Sequence, residues 1–171
     1  MTIQEKYELW VKNVSDEELK TQLIEMNTIT DITLGEDGSL TYKVAGEEGA
    51  EGIDAYFYYS LNKKYGVDPE YHNVIKIVAK GKSFFSETGE ELYGRGGELY
   101  YASQVAWSAE NCVTFYNQGH STNDTCTYYL YLGDCENYVN GKINFFRFDI
   151  GSVGGEEITI YSIEMLHIEL D

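Results

Sequence analysis

This sequence predicts a mainly β chain, an antiparallel β-sandwich preceded by a short helical segment. Three observations carry the prediction. In 144–150, Phe146, Phe148 and Ile150 alternate with polar residues, and after a glycine turn Ile158, Ile160 and Ile163 recur on one face of 158–165. That is the rhythm of half-buried strands. Similar short runs recur from Thr28 onward with glycine or acidic turns between them and no helix-length insert, which fits an antiparallel sandwich or barrel. Finally, 16 tyrosines stand against 7 phenylalanines, and a flat ring tipped with a hydroxyl suits a sheet face or a wet interface.

Taken in order, residues 1–27 read differently from 28–171. Tyr7, Trp10, Val11 and Val14 recur at helical spacing. Ser15-Asp16-Glu17-Glu18 then has a hydroxyl followed three residues later by a carboxylate, a capping-box pattern, and Leu19, Leu23 and Met26 continue the apolar stripe. A helical hairpin, or one helix and a turn, is expected here, packed as a lid over one end of the sandwich. Ile29 to Leu34 and Leu40 to Val44 alternate around the turn Gly35-Glu36-Asp37-Gly38-Ser39 and predict a β-hairpin. The acidic run 46–52 reads as a solvated loop, with a calcium site as the alternative. Residues 54–60 predict an aromatic strand, 65–71 a turn containing Pro69, and 73–78 a strand with so little polar face that it belongs at a sheet centre. Phe84-Phe85 reads as an edge piece and 87–97 as a loop. Further strands are expected over Leu99 to Trp107, Cys112 to Tyr116 and Cys126 to Leu132, giving about eight to ten with the closing pair.

Composition narrows the partners. A net charge of −17 excludes nucleic acid and anionic membrane surfaces, which need clustered Lys and Arg, and leaves neutral or cationic ligands. Cys112, Cys126 and Cys135 are odd in number and have no metal-ligand spacing, so neither a disulfide framework nor zinc is expected. No basic region followed by an apolar run opens the sequence, and no window holds the roughly 18 apolar residues of a transmembrane helix. The expectation is a cytoplasmic chain, or an extracellular one if the sequence is a piece of a larger secreted protein. No glycine-rich phosphate loop and no nucleophile-base spacing is present, so no catalytic residue, metal or cofactor is assigned.

Two resemblances bear on function. Glu5 to Leu23, with Trp10 on one helix and Ser15-Asp16-Glu17-Glu18 opening the next, resembles the first helices of the phosphoglucomutase and phosphomannomutase family. That family's phosphoserine loop, aspartate metal loop and sugar loop have no counterpart: Pro69 is the sole proline, and His120-Ser121-Thr122-Asn123-Asp124 does not match the serine loop. The resemblance therefore implies no mutase activity. Over residues 37–170, Asp37-Gly38-Ser39-Leu40-Thr41-Tyr42, Tyr71 before Val74-Ile75-Lys76-Ile77-Val78, Tyr128-Tyr129, and Gly141 to Asp149 followed by Ile158 to Glu164 are similar to the galactose-binding-like jelly rolls. These include carbohydrate-binding modules of glycan-processing enzymes. The resemblance implies a jelly roll that holds its ligand on loops at one end or on a concave sheet face. Where those modules carry a tryptophan before the late strand, this chain has Tyr138.

A sugar presents flat C–H faces and a ring of hydroxyls, so its site needs an aromatic platform beside amides, carboxylates and an arginine. The residues that fit are Tyr93 and Arg95, Trp107, the run Tyr116-Asn117-Gln118-Gly119-His120, Asn137-Tyr138 with Asn140, and Arg147. Each has a plainer role open to it: Trp107 as core, Arg147 as the partner of an acidic neighbour, His120 as a surface histidine. The expected function is a non-catalytic module that binds a glycan. A protein-interaction or structural module using the same exposed tyrosines is the alternative.

Overall fold

The structure, a computed structural model, describes residues 2–8, 23–60, 72–81, 96–116, 125–140 and 142–169. Within them are eleven strands: β1 (Thr2–Glu8), β2 (Leu23–Asn27), β3 (Ile29–Leu34), β4 (Leu40–Val44), β5 (Tyr56–Ser60), β6 (Val74–Gly81), β7 (Gly96–Ala102), β8 (Cys112–Tyr116), β9 (Cys126–Tyr131), β10 (Phe145–Ile150) and β11 (Glu157–Glu169). A 3-10 turn at Ala109–Asn111 and one helical turn, α1 (Glu136–Val139), complete the described elements.

The strands form two antiparallel sheets. One runs β3-β4-β11-β6-β9, with β1 also paired to β11; the other runs β2-β5-β10-β7-β8. From β4 to β7, and again from β8 to β11, the chain changes sheet at every step. This is the jelly-roll form of a sandwich. The long β11 carries three partners, with β6 along one edge and β4 and then β1 along the other.

The predicted helical leader meets strands at both ends. Tyr7 lies in β1, paired to β11, and Leu23 and Met26 lie in β2, paired to β5. Sheet edges that satisfied these backbones outweighed the helical spacing of the side chains, a tertiary override of a local pattern. Residues 9–22, which hold Trp10 and the capping box, lie outside the described residues, as do the Pro69 turn and Phe84-Phe85. The β3–β4 hairpin forms as expected: Asp37 Oδ1 accepts from the Ser39 N–H at 3.0 Å and from its Oγ at 2.6 Å, and Gly38 supplies φ 83°.

The predicted core faces are the observed ones. Phe146, Phe148, Ile150, Ile158, Ile160 and Ile163 are all fully buried. Strict alternation after Ile160 would turn Ser162 inward; a register shift between Ile160 and Ser162 adds a residue and returns Ile163 and Met165 to the core. Burying each such side chain contributes about 1.5–3 kcal/mol. Two core tyrosines keep their hydroxyls satisfied: Tyr42 donates to the Ile150 carbonyl at 2.6 Å and Tyr138 to the His72 carbonyl at 2.8 Å. Burial, then the charges of Glu156 and Asp149, hold the Tyr42 hydroxyl well above its ordinary range, so it stays a donor.

The acidic run 46–52 is pinned by main-chain bonds to the turn before β11. The Gly49 N–H donates to the Gly154 carbonyl at 2.9 Å and the Gly154 N–H to the Ala50 carbonyl at 2.8 Å. Among the described residues no group of three or more His, Cys, Asp or Glu is placed to hold a metal ion, and no helix is long and apolar enough to cross a membrane. A Cβ on Gly154 would run into the Glu47 carbonyl oxygen. Gly154→Ala is therefore expected to lower stability by about 1–3 kcal/mol, the range for forced overpacking, measured by urea unfolding.

Candidate ligand-binding site

The site is built by β10, the middle strand of the five-stranded sheet. Because Phe146 and Phe148 face the core, Arg147 and Asp149 face out. Register places Tyr58 of β5 and Tyr100 of β7 on either side of Arg147, and Glu98 of β7 beside Asp149. β7 ends at Ala102, five residues before the expected strand end, so Trp107 belongs to a loop. That loop folds Trp107 back over the sheet, its ring centroid 5.2 Å from that of Tyr58 and 6.4 Å from that of Tyr100.

Arg147 is the hub of this face. Its Nε donates to Asp149 Oδ1 at 2.7 Å, and its Nη2 donates to Asp149 Oδ2 at 2.6 Å and to Asp54 Oδ1 at 3.3 Å. The guanidinium carbon lies 3.6 Å from the ring centroid of Tyr56, 4.8 Å from Tyr100 and 5.8 Å from Trp107. A guanidinium suits this place because it is planar enough to stack and forked enough to bind a carboxylate through two bonds at once. The Arg147 side chain is itself largely covered, 12% exposed, and the outer rim carries the Asp54 carboxylate, 68% exposed. The face thus offers ring surface and an exposed carboxylate together.

Electrostatics tune the face further. Burial pulls the Arg147 guanidinium down, but its hydrogen bonds to Asp149 and the charges of Asp149 and Asp54 override that and hold it above its ordinary value. Asp149 is pushed up to about 6: burial is the main cause, the Asp54 and Glu98 charges add to it, and Arg147 opposes it. Tyr100 donates to Glu98 Oε2 at 2.9 Å, and burial and this bond raise its hydroxyl well above the usual phenol range. Cys112, opposite Tyr100 across the β7–β8 pair, has its thiol pushed up to about 11 by burial and the Glu98 charge, against hydrogen bonds with Tyr100 and Thr114 that lower it. A thiol so raised is protonated at neutral pH and is no nucleophile.

Of the residues predicted from sequence, the structure brings Trp107 and Arg147 together. Tyr138 is a correction: it sits in α1 with no exposed surface, stacked on Phe146 with ring centroids 6.4 Å apart. A large ring next to an apolar core was drawn inward, and its hydroxyl found the His72 carbonyl. The backbone of Tyr116 ends the edge strand β8, opposite Gly96. Asn137 donates to Asn111 Oδ1 at 2.9 Å. Tyr93, Arg95, Asn117 and His120 lie outside the described residues. Tyr56, Tyr100, Asp54, Glu98 and Asp149 were not among the residues predicted. The signal for Asp149 was present, since it shares the outward phase of Arg147; the others became neighbours only through the order of strands in the sheet.

No family model matches this chain, and no curated protein matches it. Among solved structures it is similar to one titled "CBM4 structure and function", with 11% sequence identity over 83% of this chain and 78% of that chain and a TM-score of 0.43. A likeness at that level carries no argument about what the face binds, and the mutase resemblance of the first residues is not shown.

Proposed function

We propose that this chain is a non-catalytic binding module that takes a carbohydrate on the outer face of the five-stranded sheet. One observation carries the proposal: the rings of Tyr56, Tyr100 and Trp107 gathered around Arg147, beside the exposed Asp54 carboxylate. Aromatic rings meet the C–H face of a pyranose, while the exposed carboxylate accepts from its hydroxyls. Catalysis is not supported by the same groups. Both oxygens of Asp149 are held by one guanidinium, whereas glycoside hydrolysis needs two carboxyl groups placed across a cleft and free to act on the bond.

Titration with a panel of soluble glucans, xylans, mannans and galactans, followed by tryptophan fluorescence and calorimetry, tests the proposal. Trp107 and Trp10 are the only tryptophans, so a signal lost in Trp107→Ala belongs to this face. Trp107→Ala is expected to weaken binding at least tenfold, about 1.4 kcal/mol, while Tyr138→Phe, a change in the core, leaves the affinity unaltered. No response to any polysaccharide at millimolar sugar, or an unchanged affinity in Trp107→Ala, overturns it.

A further inference from the structure

Resting on the carbohydrate reading of the Arg147 face, we infer that this face selects its sugar by charge: it takes hexosamine chains with free, protonated amines in preference to neutral chains of the same backbone, and turns away chains that carry carboxylates. Charge is divided unevenly between the two sheets. The strands of the six-stranded sheet carry the lysines Lys6, Lys43, Lys76 and Lys80. Among the described residues, the strands of the five-stranded sheet carry one basic residue, Arg147.

That one cation is already answered. Arg147 gives two hydrogen bonds to Asp149 and a third to Asp54, and register sets Glu98 beside Asp149. Three carboxylates therefore stand around one guanidinium. A sugar arriving from solvent meets the Asp54 carboxylate, 68% exposed, before it meets the guanidinium, 12% exposed. The rim of the face is negative, and a field of that sign gathers cations and repels anions. Arg147 itself registers it: burial pulls its guanidinium down, yet the bonds to Asp149 and the charges of Asp149 and Asp54 hold it above its ordinary value. The rings of Tyr56, Tyr100 and Trp107 work in the same direction, because an aromatic face attracts positive charge.

An amine and a hydroxyl on one ring carbon fill nearly the same space, so shape does not separate glucosamine from glucose; charge does. A protonated amine leaves the C–H faces of the pyranose open to stack on the rings, donates through three hydrogens where a hydroxyl donates through one, and adds an ion pair with Asp54. Acetylation removes that charge, and a uronic acid sets like charges against each other. An exposed ion pair is worth up to about fivefold in affinity, and the neighbouring carboxylates add their field to it. The net charge of −17 draws a polycation toward the whole surface, but only this face also offers it the Trp107 ring.

Calorimetry with β-1,4-linked oligomers of glucose, glucosamine, N-acetylglucosamine and glucuronic acid, equal in length and differing only at C2 or C6, tests this at mildly acid pH, where the amines carry their protons. At low salt the glucosamine oligomer is expected to bind about five- to tenfold tighter than the glucose oligomer, the acetylated one no tighter than glucose, and the glucuronic acid oligomer not at all. The gap closes as salt is raised. Asp54→Asn brings the glucosamine oligomer down toward the glucose one and leaves the latter bound, and Trp107→Ala weakens both. Glu48→Gln, an exposed carboxylate beside Lys80 and Tyr161, changes neither. Four results overturn the inference and leave the carbohydrate reading standing wherever a neutral polysaccharide still binds: a glucosamine oligomer that does not bind, one that binds no tighter than glucose, a preference that survives Asp54→Asn or Trp107→Ala, or one that falls as far in Glu48→Gln. Silence of all four oligomers and of the neutral polysaccharides removes both.

Discussion

Arg147→Ala is expected to destabilise the protein by about 2–3 kcal/mol at neutral pH, because it strands Asp149, whose side chain is only 15% exposed, without its cation. The cost also includes the contacts of the guanidinium with the Tyr56 and Trp107 rings. Its pH dependence carries the mechanism. Asp149 has a native value near 6 against an ordinary 3.8. Between those values the unfolded chain has lost the proton and the native chain has kept it, so stability falls as pH rises through that window and is level above it. Removing Arg147 takes away the one group that pulls Asp149 down, so in the variant the fall continues to higher pH. The destabilisation should therefore be small near pH 4 and grow toward about pH 8, and Arg147→Ala with Asp149→Asn should recover much of it. Denaturant unfolding across that range decides the matter; a cost independent of pH would remove Asp149 from the account.

Phe148→Ala should cost more, about 3–5 kcal/mol. The ring is fully buried, stacked on Phe57 at 5.5 Å and edge-on to Phe146 at 6.1 Å, and neighbours held by two sheets cannot close the hole. Phe145→Ala, in the opposite phase of the same strand, loses one edge-on contact with Tyr58 at 6.3 Å and should cost about 1 kcal/mol. Guanidinium unfolding of the two variants checks the alternation directly, and equal losses would mean that β10 does not have one buried face.

The same phase rule explains what could be read from the sequence. Along β10 a single strand carries its own information: Phe146 and Phe148 fix the core side, and Arg147 and Asp149 follow on the other. Tyr56 and Tyr100 reach Arg147 from strands far away in sequence. Only the order β5-β10-β7 makes them neighbours, and no local pattern states a strand order. Trp107 was legible as an aromatic near a strand, yet its place over the sheet depends on a loop that starts five residues before the expected strand end. At the N-terminal end, Tyr7, Leu23 and Met26 have helical spacing, but the open edges of β11 and β5 offered their backbones partners that outweighed a weak local preference. Tyr138 misled for a related reason: a tyrosine in a polar stretch is as good a core residue as a surface one when a carbonyl such as that of His72 waits for its hydroxyl.

The placement of β11 at the centre of the six-stranded sheet also governs how the molecule assembles. Thr41 bonds Thr159 across 118 positions of sequence, and Thr2 is opposite Glu169, so the sheet has no middle until distant stretches of the chain have met. Loop closures of that span cost entropy before any contact repays it. Such topologies condense in milliseconds to seconds, far more slowly than helical bundles of equal size. Until β11 docks, β4 and β6 each have a bare flank, and that interval is when this chain is most exposed to sticking to its neighbours.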